Sequence, residues 1–224
     1  MSLIRFDSVS KTYEEGDDIV QALDSADFEI DEGNFVAIMG PSGSGKSTML
    51  TLLGILNTPT DGDIFIDDIA VYDLKPEKQA DFRSEYLGFV FQAFQLIPYL
   101  TAMENVMLPL SITKMSNKEQ EKRAKGALER VGLADKINRL PNQISGGETQ
   151  RVAISRAIVN EPPILLADEP TGNLDSKNAI GVMNLLKELN DEGETIIMVT
   201  HDKKTAEYAD YTIELKDGRI VSKK

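Results

Sequence analysis

Phe35-Val36-Ala37-Ile38-Met39-Gly40-Pro41-Ser42-Gly43-Ser44-Gly45-Lys46-Ser47-Thr48 is the stretch on which the fold turns. Its first five residues are an unbroken apolar run, the pattern of a strand buried on both faces in a parallel sheet. Gly40 ends the run. Beyond the loop, Met49, Leu52, Leu53 and Leu56 recur at i, i+3, i+4 and i+7, which predicts one apolar face of a helix. The order strand, glycine-rich loop, helix, with the spacing G-x-x-x-x-G-K-[ST], is a specific combination. Glycine lets successive backbone N–H groups turn inward around a polyphosphate with no Cβ in the way, and the helix adds the partial positive charge of its N-terminus. Gly40, Pro41, Ser42, Gly43, Ser44, Gly45, Lys46, Ser47 and Thr48 are therefore the expected phosphate-binding residues. Lys46 is expected to reach the β- and γ-phosphates, and the Ser47 hydroxyl to hold Mg²⁺.

Further strands are predicted at Gly88-Phe89-Val90-Phe91, at 164–167, at 195–200, and at 211–215 and 219–222. Residues 1–35 read as short strands and turns, with Ile4 and Phe6 alternating against polar neighbours and Gly16 and Gly33 as breaks. A helix capped by Asp175 or Ser176 carries Val182, Leu185, Leu186 and Leu189 on one face and ends before Gly193. Strands alternating with helices imply a parallel sheet. From about 93 to 159 the strand signal gives way to helices, including 117–131 with Ala124, Leu128 and Val131 in register. The expected organisation is a single α/β domain over 1–224. Residues 1–92 and 160–224 form a P-loop NTPase core with a small N-terminal antiparallel β-subdomain, and 93–159 form an inserted helical subdomain.

Asp168 and Glu169 follow an apolar strand, so both fall at the carboxyl edge of the sheet, where open α/β folds bind ligands. Adjacent strand residues diverge unless the chain bends, so one carboxylate approaches the metal through water while the other faces the attacking water. Asp168 is assigned to Mg²⁺ and Glu169 to the general base. His201, the one histidine in the chain, ends the strand 195–200 at the same edge, placed to hydrogen-bond a γ-phosphate.

Composition narrows the class. The chain has 224 residues, 41% of them hydrophobic, enough for a core of ordinary size. No apolar run reaches the roughly 18–20 residues that span a bilayer, and Met1-Ser2-Leu3-Ile4-Arg5-Phe6-Asp7 has no leader-type apolar segment. A soluble, cytoplasmic protein is expected. Cysteine is absent, which removes disulfides and thiolate metal sites. A net charge of -13 opposes unaided binding to nucleic acid or anionic lipid.

Ile144-Ser145-Gly146-Gly147-Glu148-Thr149-Gln150-Arg151 narrows the choice among P-loop enzymes. Ser145 and Glu148 form an S-x-x-E capping box, while Gly146 and Gly147 keep the next helix's N-terminus open to an anion. The stretch resembles the signature motif of ABC ATPases, with Ile144 where leucine is commoner and Glu148-Thr149 where glutamines are frequent. The resemblance covers essentially the whole chain. It implies a head-to-tail homodimer in which Ser145, Gly146, Gly147 and Glu148 of one copy complete the ATP site of the other. It further implies Tyr13 stacked on adenine, Gln92 near Mg²⁺ and water, and Gly172-Asn173-Leu174-Asp175 crossing the dimer interface. Gly88-Phe89-Val90-Phe91-Gln92, Leu96-Ile97-Pro98, 100–106 and 166–175 look like the group that contains MacB, LolD and FtsE. That likeness implies ATP hydrolysis powering a separate transmembrane permease at the inner face of the cell membrane, with 94–110 helping to form the permease-docking groove. An FtsE-like mechanical regulator that transports nothing is the alternative. A DNA-repair or chromosome ATPase is disfavoured by the short insertion and the negative charge.

Overall fold

The computed structural model describes residues 2–16 and 18–224; Met1, the first residue of the N-terminal stretch inspected for an apolar segment, lies outside them. The first part of the chain runs β1 (Ser2–Glu15), β2 (Asp18–Asp31), β3 (Phe35–Met39), α1 (Lys46–Leu53), β4 (Asp61–Ile66) and β5 (Ile69–Ala70). Then come α2 (Pro76–Tyr86), β6 (Leu87–Val90), α3 (Ala102–Met107), α4 (Asn117–Arg130) and α5 (Gly146–Ile158), with short 3-10 turns at Leu108–Ile112 and Pro141–Gln143. The last part is β7 (Ile164–Asp168), α6 (Ser176–Asp191), β8 (Thr195–Val199), α7 (Lys203–Ala206), β9 (Tyr211–Lys216) and β10 (Arg219–Lys223).

Two sheets result. One is antiparallel, in the order β2-β1-β4-β5; the other runs β10-β9-β3-β8-β7-β6 and is parallel except where β10 pairs with β9. The apolar runs of the central strands are continuous because each face meets a separate core. Phe35, Ala37, Leu165, Ala167, Ile196 and Met198 pack with α3, α4, α5 and α6. Their alternates Val36, Ile38, Ile164, Leu166, Ile197 and Val199 pack with α1 and the antiparallel sheet. A period of two thus feeds two cores, as a strand covered on both faces requires.

Register positions the site. Ile38 and Asp168 both pair with Val199, so β3, β8 and β7 end level. Whatever follows these three strands, the loop after Gly40, Glu169 and His201, is delivered to one edge of the sheet.

Three sequence expectations change, and one helix, α2, was not read from the sequence. Leu56 does not extend the α1 stripe: the helix stops at Leu53, Gly54 caps it, Ile55 takes a positive φ, and Leu56 is exposed. The N-terminal strands are long, 14 residues each, because bulges in their pairing absorb the irregular pattern. Phe91 lies just beyond β6. The helix α2 buries Phe82 alone, so it has no apolar stripe to read; Pro76 at its first turn was the available signal. Among the described residues no helix is long and apolar enough to cross a membrane.

Candidate functional site

The loop between β3 and α1 is shaped by contacts that exclude side chains. A Cβ on Gly45 would lie 2.3 Å from the Ala22 carbonyl oxygen, and Gly45 holds φ 101°. A Cβ on Gly40 would lie 2.2 Å from the Leu215 oxygen. The helix that follows has no side-chain cap and no acidic residue in its first turn. By contrast, α3, α4, α5 and α6 are capped by Thr101, Ser116, Ser145 and Asp175. The first N–H groups of α1 are thus left for an anionic ligand. Lys46 is buried, its ammonium donating to the carbonyls of Gly40 (2.8 Å) and Pro41 (2.9 Å). The buried Ser44 hydroxyl has no hydrogen-bond partner among the described residues.

A cavity of about 690 Å³ is lined by residues 40–43 and 45–48 of this loop, by Val20, Gln21 and Ala22 of β2, and by Glu169 and His201. A larger groove of about 840 Å³ lies against β9 and α7; it shares Gly40, Pro41 and His201 but not the inward-turned loop. Glu169 sits at φ 43°, uncommon for a residue with a side chain. Its N–H still donates to Val199 O (2.9 Å), so the chain bends immediately after the last rung of the ladder. Glu169 lines the cavity and Asp168 does not. Oε1 of Glu169 lies 2.8 Å from His201 Nδ1. Burial and then the charge of Glu169 push the Asp168 carboxyl above its ordinary range, with Lys46 opposing.

Of the residues expected to hold Mg²⁺, Ser47 lines the cavity with an exposed hydroxyl, and Asp168 is half-buried at the end of β7. Gln92 is outside the cavity lining but fastened to the chain just after Glu169. Asn173 Nδ2 donates to its carbonyl (2.9 Å), and a Cβ on Gly172 would lie 2.6 Å from its Nε2. Hard oxygen donors suit Mg²⁺, and among the described residues no group of three or more His, Cys, Asp or Glu stands ready as a closed cage. The set fits an ion that keeps water and takes phosphate oxygens.

The signature residues lie elsewhere. Ser145 and Gly146 are exposed and outside the loop cavity, and Ser145 makes the expected capping box with Glu148. Those hydrogen bonds from Ser145 hold the Glu148 carboxyl below its ordinary range. Gly147 has a second reason to be glycine, which the motif alone did not reveal. It is buried, and a Cβ there would lie 2.3 Å from Asn178 Oδ1 on α6. Asn178 is held in turn by Asp175, whose Oδ2 accepts its Nδ2 at 2.6 Å. Tyr13 is not among the cavity-lining residues but pairs directly with Val20, which is. Of the stretch 94–110, Gln95 and Pro109 line a separate groove of about 400 Å³ whose walls come mainly from α2, β6 and the end of α5.

The sequence model of the ABC transporter family matches residues 23–172. The chain is 50% identical over 223 residues to the ABC transporter ATP-binding protein MJ0796 of Methanocaldococcus jannaschii, covering 97% of this chain and 95% of that one. It is 46% identical over 222 residues to the macrolide export ATP-binding/permease protein MacB of Aggregatibacter actinomycetemcomitans, covering 99% of this chain but 34% of that protein. A dimeric structure of MJ0796 in a post-hydrolysis state, bound to ADP and Pi, superposes with a TM-score of 0.90 at 48% identity, covering 99% of this chain and 97% of that one. With its glycine-rich loop, acidic strand end and signature turn disposed in this way, the chain belongs to the ABC transporter family, as one of its ATP-binding cassettes.

Proposed function

We propose that this chain binds Mg²⁺-ATP, closes around it as a head-to-tail homodimer, and hydrolyses it to drive a separate transmembrane permease. The observation that carries the reading is the division of the chemistry. The phosphate loop, Glu169 and His201 share one cavity, while Ser145 and Gly146 of the signature turn are exposed outside it, free to meet a nucleotide held by a second copy. MJ0796, a dimer with ADP and Pi in its solved post-hydrolysis state, supports the same arrangement. MacB carries ATP-binding and permease parts in one polypeptide, of which this chain matches about a third, and that pairing supports a permease as the partner that holds this cassette at the inner face of the membrane. The groove containing Gln95, Pro109 and Arg156 is the proposed seat for its cytoplasmic segment. The cargo is of MacB or LolD type: a drug, peptide, lipid or lipoprotein.

In the reaction, the loop N–H groups and Lys46 bind the β- and γ-phosphates, Lys46 exchanging its present carbonyl partners for phosphate oxygens. Tyr13 stacks on adenine. Ser47, Asp168 and Gln92 would hold Mg²⁺, which when bound would neutralise phosphate charge. Glu169 accepts a proton from water as the water oxygen bonds to the γ-phosphorus and the bond from that phosphorus to the β,γ-bridging oxygen breaks, releasing ADP. His201, hydrogen-bonded to Glu169, steadies the base and reaches the γ-phosphate. Ser145, Gly146 and Gly147 of the other copy meet the γ-phosphate in the closed dimer alone, and that difference lets ATP shift the equilibrium. The test is Glu169→Gln: phosphate release is expected to fall about 10² to 10⁴-fold, and undiminished turnover refutes the assignment.

A further inference from the structure

Tyr13 is 36% exposed near the end of β1. A ring in that position has free rotamers to lose when it stacks on a base, and loosely held rings bind weakly. Here the ring is tied down. Asn57 Nδ2 donates to the Tyr13 phenol oxygen at 2.7 Å. Lys11 places its ammonium 5.1 Å from the centre of the same ring, within cation–π range, and donates to Thr58 O at 2.7 Å. Thr12 N donates to Thr60 Oγ1 at 3.0 Å, completing a seam between the end of β1 and residues 57–60.

Asn57 is itself fixed. Thr58 N donates to its Oδ1 at 2.9 Å, which orients the amide so that the NH₂ group meets the phenol. The Tyr72 hydroxyl lies 2.6 Å from the Asn57 carbonyl and 2.7 Å from that of Leu52 on α1. Burial raises the Tyr72 phenol well above its ordinary range, so it stays a donor. The helix that begins at Lys46 is therefore connected, through its C-terminal end and Asn57, to the ring beside the cavity-lining Val20.

We propose that Asn57 is a positioning residue for the nucleobase: with Lys11 covering one face, it holds the Tyr13 ring with the other face open to the adenine of ATP. The inference rests on the reading of the cavity as an ATP site with Tyr13 as its stacking residue. Stacking is made equally in the ground and transition states, so its loss falls on KM with kcat retained.

Calorimetric titration of ATP into the full chain tests it. Asn57→Ala is expected to weaken ATP binding about two- to tenfold, the worth of one hydrogen bond, with a matching rise in KM. Tyr13→Phe, which removes only the hydroxyl that Asn57 holds, is expected to reproduce the loss. In a Tyr13→Ala background, Asn57→Ala is expected to have no further effect. Unchanged affinity in Asn57→Ala or in Tyr13→Phe overturns the proposal, as does an equal loss with the ring already gone. A wild-type chain that binds no ATP overturns the reading of the site itself, a different result.

Discussion

Replacing Gly147 by alanine puts a methyl group 2.3 Å from Asn178 Oδ1, 2.6 Å from its Cγ and 2.9 Å from its Cβ. Real contacts of this kind do not fall below 3.0 Å, so α5 and α6 have to part or Asn178 has to turn away. Turning is resisted. Its Nδ2 is bonded to Asp175 Oδ2 at 2.6 Å, and its backbone N–H to Asp175 Oδ1 at 3.0 Å. The neighbouring Gly146 is a control within the same turn, since a methyl there meets Leu174 Cδ2 at an ordinary 3.5 Å. Overpacking of this sort costs about 1–3 kcal/mol. For a chain of this length each kcal/mol is worth roughly 2–4 °C, so Gly147→Ala is expected to lower the melting temperature by about 2–12 °C. Gly146→Ala is expected to leave it within about 2 °C. Adding Asn178→Ala removes the two closest atoms and is expected to restore at least half the loss, measured against Asn178→Ala alone by circular dichroism. If both alanine variants melt together, or if Asn178→Ala brings no relief, the claim that α6 dictates glycine at this position is wrong.

Two further outcomes follow from the site. Lys46→Ala removes the buried ammonium and is expected to abolish measurable ATP binding by calorimetry; normal affinity contradicts its place on the phosphates. Asp168 is held above its ordinary range by burial and by Glu169. The folded chain therefore keeps that proton more tightly than the unfolded one, a contribution to stability present at low pH and lost as pH rises through the carboxylate range. Nucleotide-free Asp168→Asn is expected to melt above wild type at neutral pH, the gap closing on acidification; a gap independent of pH removes the titration from the account.

The phosphate loop and the carboxyl edge of the sheet were legible because their signals are local. An apolar run followed by G-x-x-x-x-G-K-[ST] needs no tertiary knowledge, and strands covered on both faces announce themselves by continuity. The α6 start, read as capped by Asp175 or Ser176 and found capped by Asp175, and its buried face were equally plain. What stayed hidden joins segments far apart in sequence. Asn57 meets Tyr13 across 44 residues, and Asn173 meets Gln92 across 81. The reason for Gly147 belongs to Asn178, on another helix. Leu56 misled because periodicity continues past the point where Gly54 stops the helix. Two capping boxes, Thr101 with Glu104 and Ser116 with Glu119, carried the same signature as Ser145 with Glu148. They fix the starts of α3 and α4, so the helical starts within residues 93–159 could have been read from them.

The most direct test is sedimentation velocity on Glu169→Gln, with and without Mg²⁺-ATP. A shift from monomer to dimer that requires ATP, and that is lost when Ser145 is changed to arginine, is the expected result. A chain that stays monomeric at saturating ATP, or dimerises equally well with arginine at Ser145, contradicts the sandwiched nucleotide on which the account depends.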